Sequence, residues 1–206
     1  ANAIIRDDLE GGATSILLRF DACARNAMDP RELHGATLSA RDGIAIYTLD
    51  DLDRTLQGVH LNMISIALEA GSAFIPAASL VAALWELRGV KPQACRAAFN
   101  ADPLAILARD GHLANALSAS LRNMAALASW TSARYPNSTS IRVGTAPYHH
   151  AGATATQDLA FSLATAVEYL RAMTRAEMPI DAAVRQLSFS FAIGCNILLA
   201  IAKLRA

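Results

Sequence analysis

The feature that most constrains the fold is a regular alternation of short apolar segments with longer segments of helical periodicity. The short segments with strand character are residues 16–18, 43–47, 62–68, 95–99, 140–145 and 187–193. Strands that each lead into a helix pair in parallel through helical crossovers. About six such units exceed a small flavodoxin-like sheet and fall short of the eight that close a barrel. We therefore predict an α/β fold, an incomplete TIM-type (β/α)8 barrel that forms a single domain over residues 1–206.

The helical segments begin and end at residues suited to those positions. Predicted helices cover 3–10, 50–56, 73–87, 113–134, 153–176 and 196–206, and two more begin near Pro103 and Pro179. Asp102 is the expected N-cap of the helix that starts at Pro103. A loop containing Pro30, His34 and Gly35 is expected to join the first strand to the second.

Charge and cysteine content exclude several classes of protein. The chain has 18 basic and 18 acidic residues without a basic cluster, so neither nucleic acid nor an anionic membrane is an expected partner. Its three cysteines lie far apart, which argues against a disulfide framework. The start lacks the apolar core of a signal peptide, and no apolar run reaches about 18 residues. We predict a soluble, cytoplasmic protein.

Two predicted strands carry small residues on one face and large residues on the other. In 187–193 the small face is Ser188, Ser190 and Ala192, and 63–68 repeats the pattern with Ser65 and Ala67. If these faces point inward, they leave a channel along the barrel axis for a long, thin ligand. If they pack against helices instead, the large residues fill the barrel centre. The strands alone leave both arrangements open.

Tyr148 and His149 follow directly after a predicted strand. Ligands and catalytic side chains of α/β folds gather at the carboxyl ends of strands, so this pair is the strongest functional candidate. The alternative is that both residues cap or pack a surface turn. His149 and His150 are not predicted to bind metal, because adjacent side chains diverge and no Cys, Asp or Glu stands at ligand spacing.

Several segments resemble one enzyme family. They are the stretch 146–171, which begins Ala-Pro-Tyr-His-His-Ala-Gly-Ala, then Arg-Gln-Leu-Ser-Phe at 185–189, and the stretches 9–19 and 196–206. Together they resemble the methylmalonyl-CoA mutase family, particularly its small, non-catalytic subunit. The resemblance implies an isomerase that uses adenosylcobalamin to rearrange the carbon skeleton of an acyl-CoA by a radical route. It also implies a barrel lined by small polar residues, because the CoA tail threads the axis.

The resemblance assigns site residues position by position. Tyr148 and His149 match a Tyr-His pair that contacts substrate in catalytic subunits, although the turn after them has the shorter form typical of the small subunit. Asn100 stands at a substrate-facing glutamine position. The predicted positions are Tyr148 and His149 as catalytic, and Asn100, Arg109, Arg185, Gln186 and Ser188 as substrate-binding.

Two of these positions differ from the catalytic pattern. Asp110 and Gln186 stand where arginines are expected, with Arg109 and Arg185 each one residue earlier. Reversing a charge at a phosphate contact removes a bond of roughly 1.5 to 3 kcal/mol, and a neighbour on a helix points about 100° away. Acyl-CoA binding is therefore expected to be weak.

The motif Asp-x-His-x-x-Gly of the family's cobalamin domain is absent from the sequence. We expect no cofactor on this chain, no activity by the chain alone, and a heterodimer with the catalytic large subunit or self-association. The alternative is a fragment of an active acyl-CoA mutase whose missing ends supply the cobalamin domain. An unrelated aldolase barrel is disfavoured because neither lysine, Lys91 or Lys203, lies at a predicted strand end.

Overall fold

A single parallel sheet organises the chain. The computed structural model describes residues 1–205, and its strands are β1 (Ser15–Arg19), β2 (Ser65–Glu69), β3 (Ala97–Ala101), β4 (Thr139–Gly144) and β5 (Leu187–Ser190). The spatial order β1-β2-β3-β4-β5 follows the sequence, and every neighbouring pair is parallel. This order is that of a barrel wall, so the predicted incomplete TIM-type α/β fold is confirmed.

Helices connect the strands. They are α1 (Asn2–Glu10), α2 (Ala22–Arg25), α3 (Leu33–Leu38), α4 (Leu49–Thr55), α5 (Phe74–Leu87), α6 (Pro103–Asp110), α7 (Leu117–Arg134), α8 (Ala146–His150), α9 (Ala155–Arg175), α10 (Ile180–Arg185) and α11 (Ile197–Arg205). The predicted start of α6 is confirmed, because the Asp102 carboxylate accepts a hydrogen bond from the Ala105 amide and Pro103 is the first helical residue. The last helix was predicted to reach Ala206, which lies outside the described residues.

The prediction of a strand at 43–47 is wrong. Only one bridge forms there, between Phe20 and Ile44 beside the free edge of β1. Gly43 has a φ of 151°, and a Cβ at this position would lie 2.3 Å from the Phe20 carbonyl oxygen. This close approach accompanies the single bridge, in which the Ile44 amide donates to the Arg19 carbonyl, and Thr48 then begins α4 with a capping box to Asp51. The sheet has five strands among the described residues rather than the predicted six.

The loop predicted around Pro30, His34 and Gly35 is wrong in part, because it contains α3. A further short helix, α2, follows β1 and is capped by the Asp21 carboxylate. Both helices are short, so neither produces the sustained apolar periodicity that identifies a helix from sequence. They lengthen the crossover between β1 and β2 without adding a strand.

The two faces of the sheet differ in how deeply their side chains are buried. Large residues such as Ile66, Leu68 and Phe99 are fully buried in the core, whereas Ser65 and Ala67 on the opposite face of β2 are only partly covered. Helices therefore pack against the large residues, and the small residues line the open face of the sheet. For β2 this orientation agrees with the channel interpretation and rules out inward-facing large residues.

The chain also ends in an apolar surface. Exposed large apolar residues cluster on α11 and in the segment before it, namely Ile193, Ile197, Leu198, Leu199, Ile201 and Leu204. No helix within residues 1–205 combines the length and apolar character needed to cross a membrane.

Candidate functional site

The carboxyl ends of the strands surround a cavity of about 740 Å³, here called the mouth cavity. Its charged lining comes from β1, β2, β4, α2, α6 and the segment before α4. The ionisable residues that line it are Arg19, Arg25, Asp42, Glu69, Arg109, Asp110, His112, Arg142 and His150. It occupies the edge of the sheet at which α/β proteins bind ligands.

The arginines of β1 and α2 are engaged by carboxylates of the chain itself. Arg19 donates to Glu69 at 2.8 Å and to Asp42 at 2.5 Å, and Arg25 donates to Asp42 at 2.7 Å. The hydrogen bond from Arg19 lowers the pKa of the Asp42 carboxyl. These cations are therefore neutralised inside the cavity.

Arg109, which the family resemblance predicts to contact substrate, lines the mouth cavity. Its guanidinium donates two hydrogen bonds of 2.8 Å to the two carboxylate oxygens of Asp110. This bidentate pair lowers the pKa of Asp110. Arg109 is thus held by its own neighbour, which stands where the family resemblance expects an arginine.

Asp102 is the deepest ionisable group beside the cavity. Its carboxylate accepts hydrogen bonds from the Tyr169 hydroxyl at 2.6 Å and from the Gly144 amide at 2.8 Å. Burial away from water raises the pKa of Asp102 to about 6 and raises that of Tyr169 well above its usual value. The Nε atom of Arg142 lies 3.7 Å away, is buried and has no hydrogen-bond partner within residues 1–205.

Sequence reasoning identified Asp102 only as a helix cap. Its position at the end of β3 was a usable signal, because polar residues there face the mouth of a barrel. No sequence pattern indicated that Tyr169 belongs to the site, because an aromatic residue in an amphipathic helix ordinarily packs in the core. Gly144 is needed beside Asp102, because a Cβ at this position would lie 2.9 Å from the carboxylate.

Tyr148 and His149 lie on α8 rather than on a turn. The Tyr148 ring packs on Phe161 with centroids 4.9 Å apart, and His149 lines a second, smaller cavity. Neither side chain lines the mouth cavity, whereas His150 does. The catalytic role assigned to Tyr148 and His149 stays a prediction, and the structure separates both from the arginines.

Asn100 and Ser188 have roles in holding the strands together. Asn100 has a φ of 55° at an irregularity in β3, and its side-chain amide donates to the Leu68 carbonyl at 3.0 Å. The Ser188 hydroxyl donates to the Ile141 carbonyl at 3.0 Å. Both side chains are half-buried, so a part of each still faces the open side of the sheet.

Arg185 and Gln186 lie at the opposite, amino-terminal end of β5. Gln186 is buried and accepts a hydrogen bond from the Ser140 hydroxyl at 2.9 Å, while Arg185 is exposed at the end of α10. Neither lines the mouth cavity. The structure therefore brings only Arg109 of the predicted substrate contacts to this cavity.

The described residues do not fit a cobalt ligand or a metal cluster. The one Asp-x-His sequence is Asp110-Gly111-His112, which continues to Asn115 instead of the glycine of the cobalamin motif. Asp110 is held by Arg109, and the Nδ1 atom of His112 lies 3.0 Å from the Asp110 carbonyl oxygen. Within residues 1–205, no three His, Cys, Asp or Glu residues lie close enough to share a metal ion.

Comparison of the amino-acid sequence with known proteins identifies a family. The family model described as methylmalonyl-CoA mutase matches residues 1–206. A methylmalonyl-CoA mutase small subunit of Streptomyces virginiae is 37% identical over 205 residues, which is 100% of this chain and 29% of that protein. The large subunit of the same organism is 30% identical and the mutase of Escherichia coli 28%, each along the whole chain.

The chain spans less than a third of the length of these relatives. Its relatives nevertheless include a small subunit, a large subunit and a mutase named without a subunit, and each match covers the whole of this chain. The family model covers the same residues. This chain therefore belongs to the methylmalonyl-CoA mutase family.

Proposed function

We propose that this chain forms part of the barrel of a small-type mutase subunit and serves as a non-catalytic partner of a catalytic large subunit. The identity is 37% with a small subunit and 28 to 30% with large subunits and with mutases named without a subunit. This difference supports the small-subunit assignment. Adenosylcobalamin would act in the assembled enzyme and be held outside this chain.

The observation that carries the proposal is the pairing of charges in the mouth cavity. Arg19, Arg25 and Arg109 each donate to a carboxylate of the chain itself. An acyl-CoA carboxylate or phosphate would have to displace those partners, and the displaced carboxylates would then repel the ligand. The cavity therefore favours weak or absent acyl-CoA binding by the chain alone.

The remaining predicted contacts take roles consistent with this proposal. Tyr148 and His149 would be inherited positions whose side chains now pack against α9 and line the second cavity. Asn100, Ser188 and Gln186 would keep the strands in register through the hydrogen bonds described above. Arg185 would remain a surface residue.

The partner surface is proposed at the carboxyl-terminal end of the chain. A helix that is apolar around its whole circumference is normally buried, and α11 exposes Ile197, Leu198 and Leu204 by more than half. A monomer rarely leaves such a surface uncovered. The large subunit, or a second copy of this chain, would cover it.

The test combines turnover and binding. The purified chain is expected to give no isomerisation of methylmalonyl-CoA with adenosylcobalamin, and no saturable binding of methylmalonyl-CoA in calorimetry at micromolar concentration. Asp110→Ala should free Arg109 and create measurable affinity, while Asp50→Ala, which removes an exposed carboxylate of α4, should not. Turnover by the chain alone, or saturable micromolar binding by the unmodified chain, would refute the proposal.

A second candidate is a fragment of an active mutase. It is supported by the matches to large subunits and to the Escherichia coli enzyme, which also span the whole chain. The full-length gene product discriminates between the two. A downstream Asp-x-His-x-x-Gly and a substrate arginine would favour the active enzyme.

A further inference from the structure

Helix α8 presents its two histidines to different cavities. His150 lines the mouth cavity, whereas His149 lines a second cavity of about 220 Å³ that α8 forms with α9 and α11. The ionisable residues lining this second cavity are His149, Asp158 and Lys203. None of the roles described so far accounts for the buried members of this group.

Asp158 on α9 is completely buried, and one of its oxygens is unused. Its Oδ2 accepts a hydrogen bond from Lys203 Nζ at 3.0 Å, and the same ammonium donates to the Ala192 carbonyl at 2.5 Å. Its Oδ1 has no hydrogen-bond partner among the described residues. A buried carboxylate with a single donor is costly, so a further donor to either of its oxygens is expected close by.

Three side chains lining the cavity could donate. The Thr154 hydroxyl already donates to Gln157, with which it forms the capping box of α9. Asn196 uses its carbonyl oxygen to cap α11, which leaves its amide group uncommitted. The third donor is His149, whose Nδ1 is 3.8 Å from Asp158 Oδ2.

His149 has the freedom to close this distance. Its side chain is 37% exposed, and a tilt that brings Nδ1 roughly 1 Å closer would give an ordinary hydrogen bond. An ionised carboxylate only accepts hydrogen bonds, so a neutral imidazole facing it must carry its proton on the nitrogen nearest the carboxylate. That nitrogen is Nδ1.

We infer that Asp158 is a positioning residue whose carboxylate holds neutral His149 with its proton on Nδ1 and joins that imidazole to Lys203 of α11. The Nε2 atom of His149 is then unprotonated and acts as a proton acceptor. One carboxylate also couples α8 to α11, because both contacts end on Asp158. This inference concerns the tautomer of His149 and the coupling of two helices, and it goes beyond the proposed subunit role.

The decisive measurement is the tautomer of His149 in the unmodified chain. Long-range ¹H–¹⁵N spectra are recorded at a pH where the imidazoles are neutral, and His149→Gln identifies the signal. The expected form is Nδ1–H. In Asp158→Asn the new amide can donate to Nδ1, so the Nε2–H form should replace it.

Lys203→Met is the matched control, because it removes the other partner and keeps the acceptor. The Nδ1–H form should persist there, whereas a general loosening of the cavity would alter the tautomer in both variants. The measurement on the unmodified chain stands even if a variant fails to fold. A predominant Nε2–H form in that chain, or an unchanged tautomer in Asp158→Asn, would overturn the inference and point to the Asn196 amide as the donor.

Discussion

Two of the three buried aspartates, Asp102 and Asp158, differ in how far their carboxylates are supplied with hydrogen-bond donors. Asp102 joins β3, β4, α6 and α9, with donors from Tyr169, Gly144 and Ala105 satisfying its carboxylate. Asp158 holds α11 through Lys203, and its other oxygen has no donor in the described part of the chain, beneath a helix whose outer face is apolar and exposed. The polar groups at the centre of the sheet are thus paired, whereas α11 leaves large apolar side chains exposed.

The difference follows from what surrounds each aspartate. Strands on both sides and helices above bury Asp102, so its environment is fixed by residues far apart in the sequence. Asp158 is buried partly by α11, of which only Ala200 and Lys203 are themselves buried. Substitutions at Asp102 should therefore lower the stability of the whole fold. Substitutions around Asp158 should weaken only the docking of α11.

The largest effect is expected at Asp102. Asp102→Ala removes the acceptor of the Tyr169 hydroxyl and of two backbone amides, which should lower the free energy of unfolding by about 3 kcal/mol. Urea unfolding followed by circular dichroism measures this loss. Asp50→Ala, which removes an exposed aspartate, should change it by less than about 0.5 kcal/mol. Equal losses in the two variants would show that Asp102 does not organise the centre.

A smaller and local effect is expected at Lys203. Lys203→Met leaves Asp158 without its ammonium partner, and water can reach the carboxylate during brief openings of an otherwise docked α11. The cost is therefore limited to the docking energy of α11, about 1 to 2 kcal/mol. Hydrogen exchange should accelerate in α11 and stay unchanged in β3 and β4, while Arg205→Met should leave both unchanged. Faster exchange throughout the sheet would contradict a local role.

The pH dependence of stability should report Asp102. Its pKa is raised to about 6 in the folded chain, above the value of about 4 for an unfolded aspartate. The folded state therefore binds the proton more tightly between these values, and this contribution to stability is full below pH 4 and is lost as the pH rises through 6.

The comparison is made with Asp102→Asn, which does not ionise. The stability of the unmodified chain relative to this variant should fall steadily from pH 4 to pH 6.5 in urea titrations. A constant difference across that range would mean that Asp102 does not titrate there.

The smallest effect on folding is expected on the outer face of α11. The unmodified chain should sediment as a dimer or larger species, because exposed Leu198 and Ile201 favour burial against another surface. The double variant Leu198→Lys with Ile201→Lys should shift it toward the monomer while changing the unfolding free energy by less than about 0.5 kcal/mol.

A matched control places the same lysines elsewhere. Leu33→Lys with Leu87→Lys changes two other exposed leucines and should leave association unchanged. A well-folded monomer of the unmodified chain at high concentration would show that the carboxyl-terminal region needs no partner.

Much of the fold could be predicted from local pattern. The apolar run at 16–18 and the Asp102-Pro103 helix start are fixed by residues within a few positions of each other, and both predictions are confirmed. The segment 43–47 has equally good strand periodicity and still forms only one bridge. The chain leaves the sheet after Ile44 and enters α4 at the Thr48 cap, and periodicity alone does not predict how many residues of such a segment pair.

The site was less accessible to such reasoning. The Tyr148-His149 pair was found by its place after β4, but the direction of each side chain follows from α8 and from its packing on α9. Arg109 was expected to contact substrate. Its guanidinium instead donates to Asp110, and this pairing depends on side-chain geometry that the sequence does not encode.

The sequence by itself determined the alternation of parallel strands with long helices, the starts of the best-capped helices and the family of the chain. Periodicity, capping and motif similarity are properties of neighbouring residues, so they can be recognised without a structure. The tertiary structure decided which charges meet. Tyr169 reaches Asp102 and Lys203 reaches Asp158 across 67 and 45 positions of sequence, and both carboxylates are buried only because the sheet and its helices close around them.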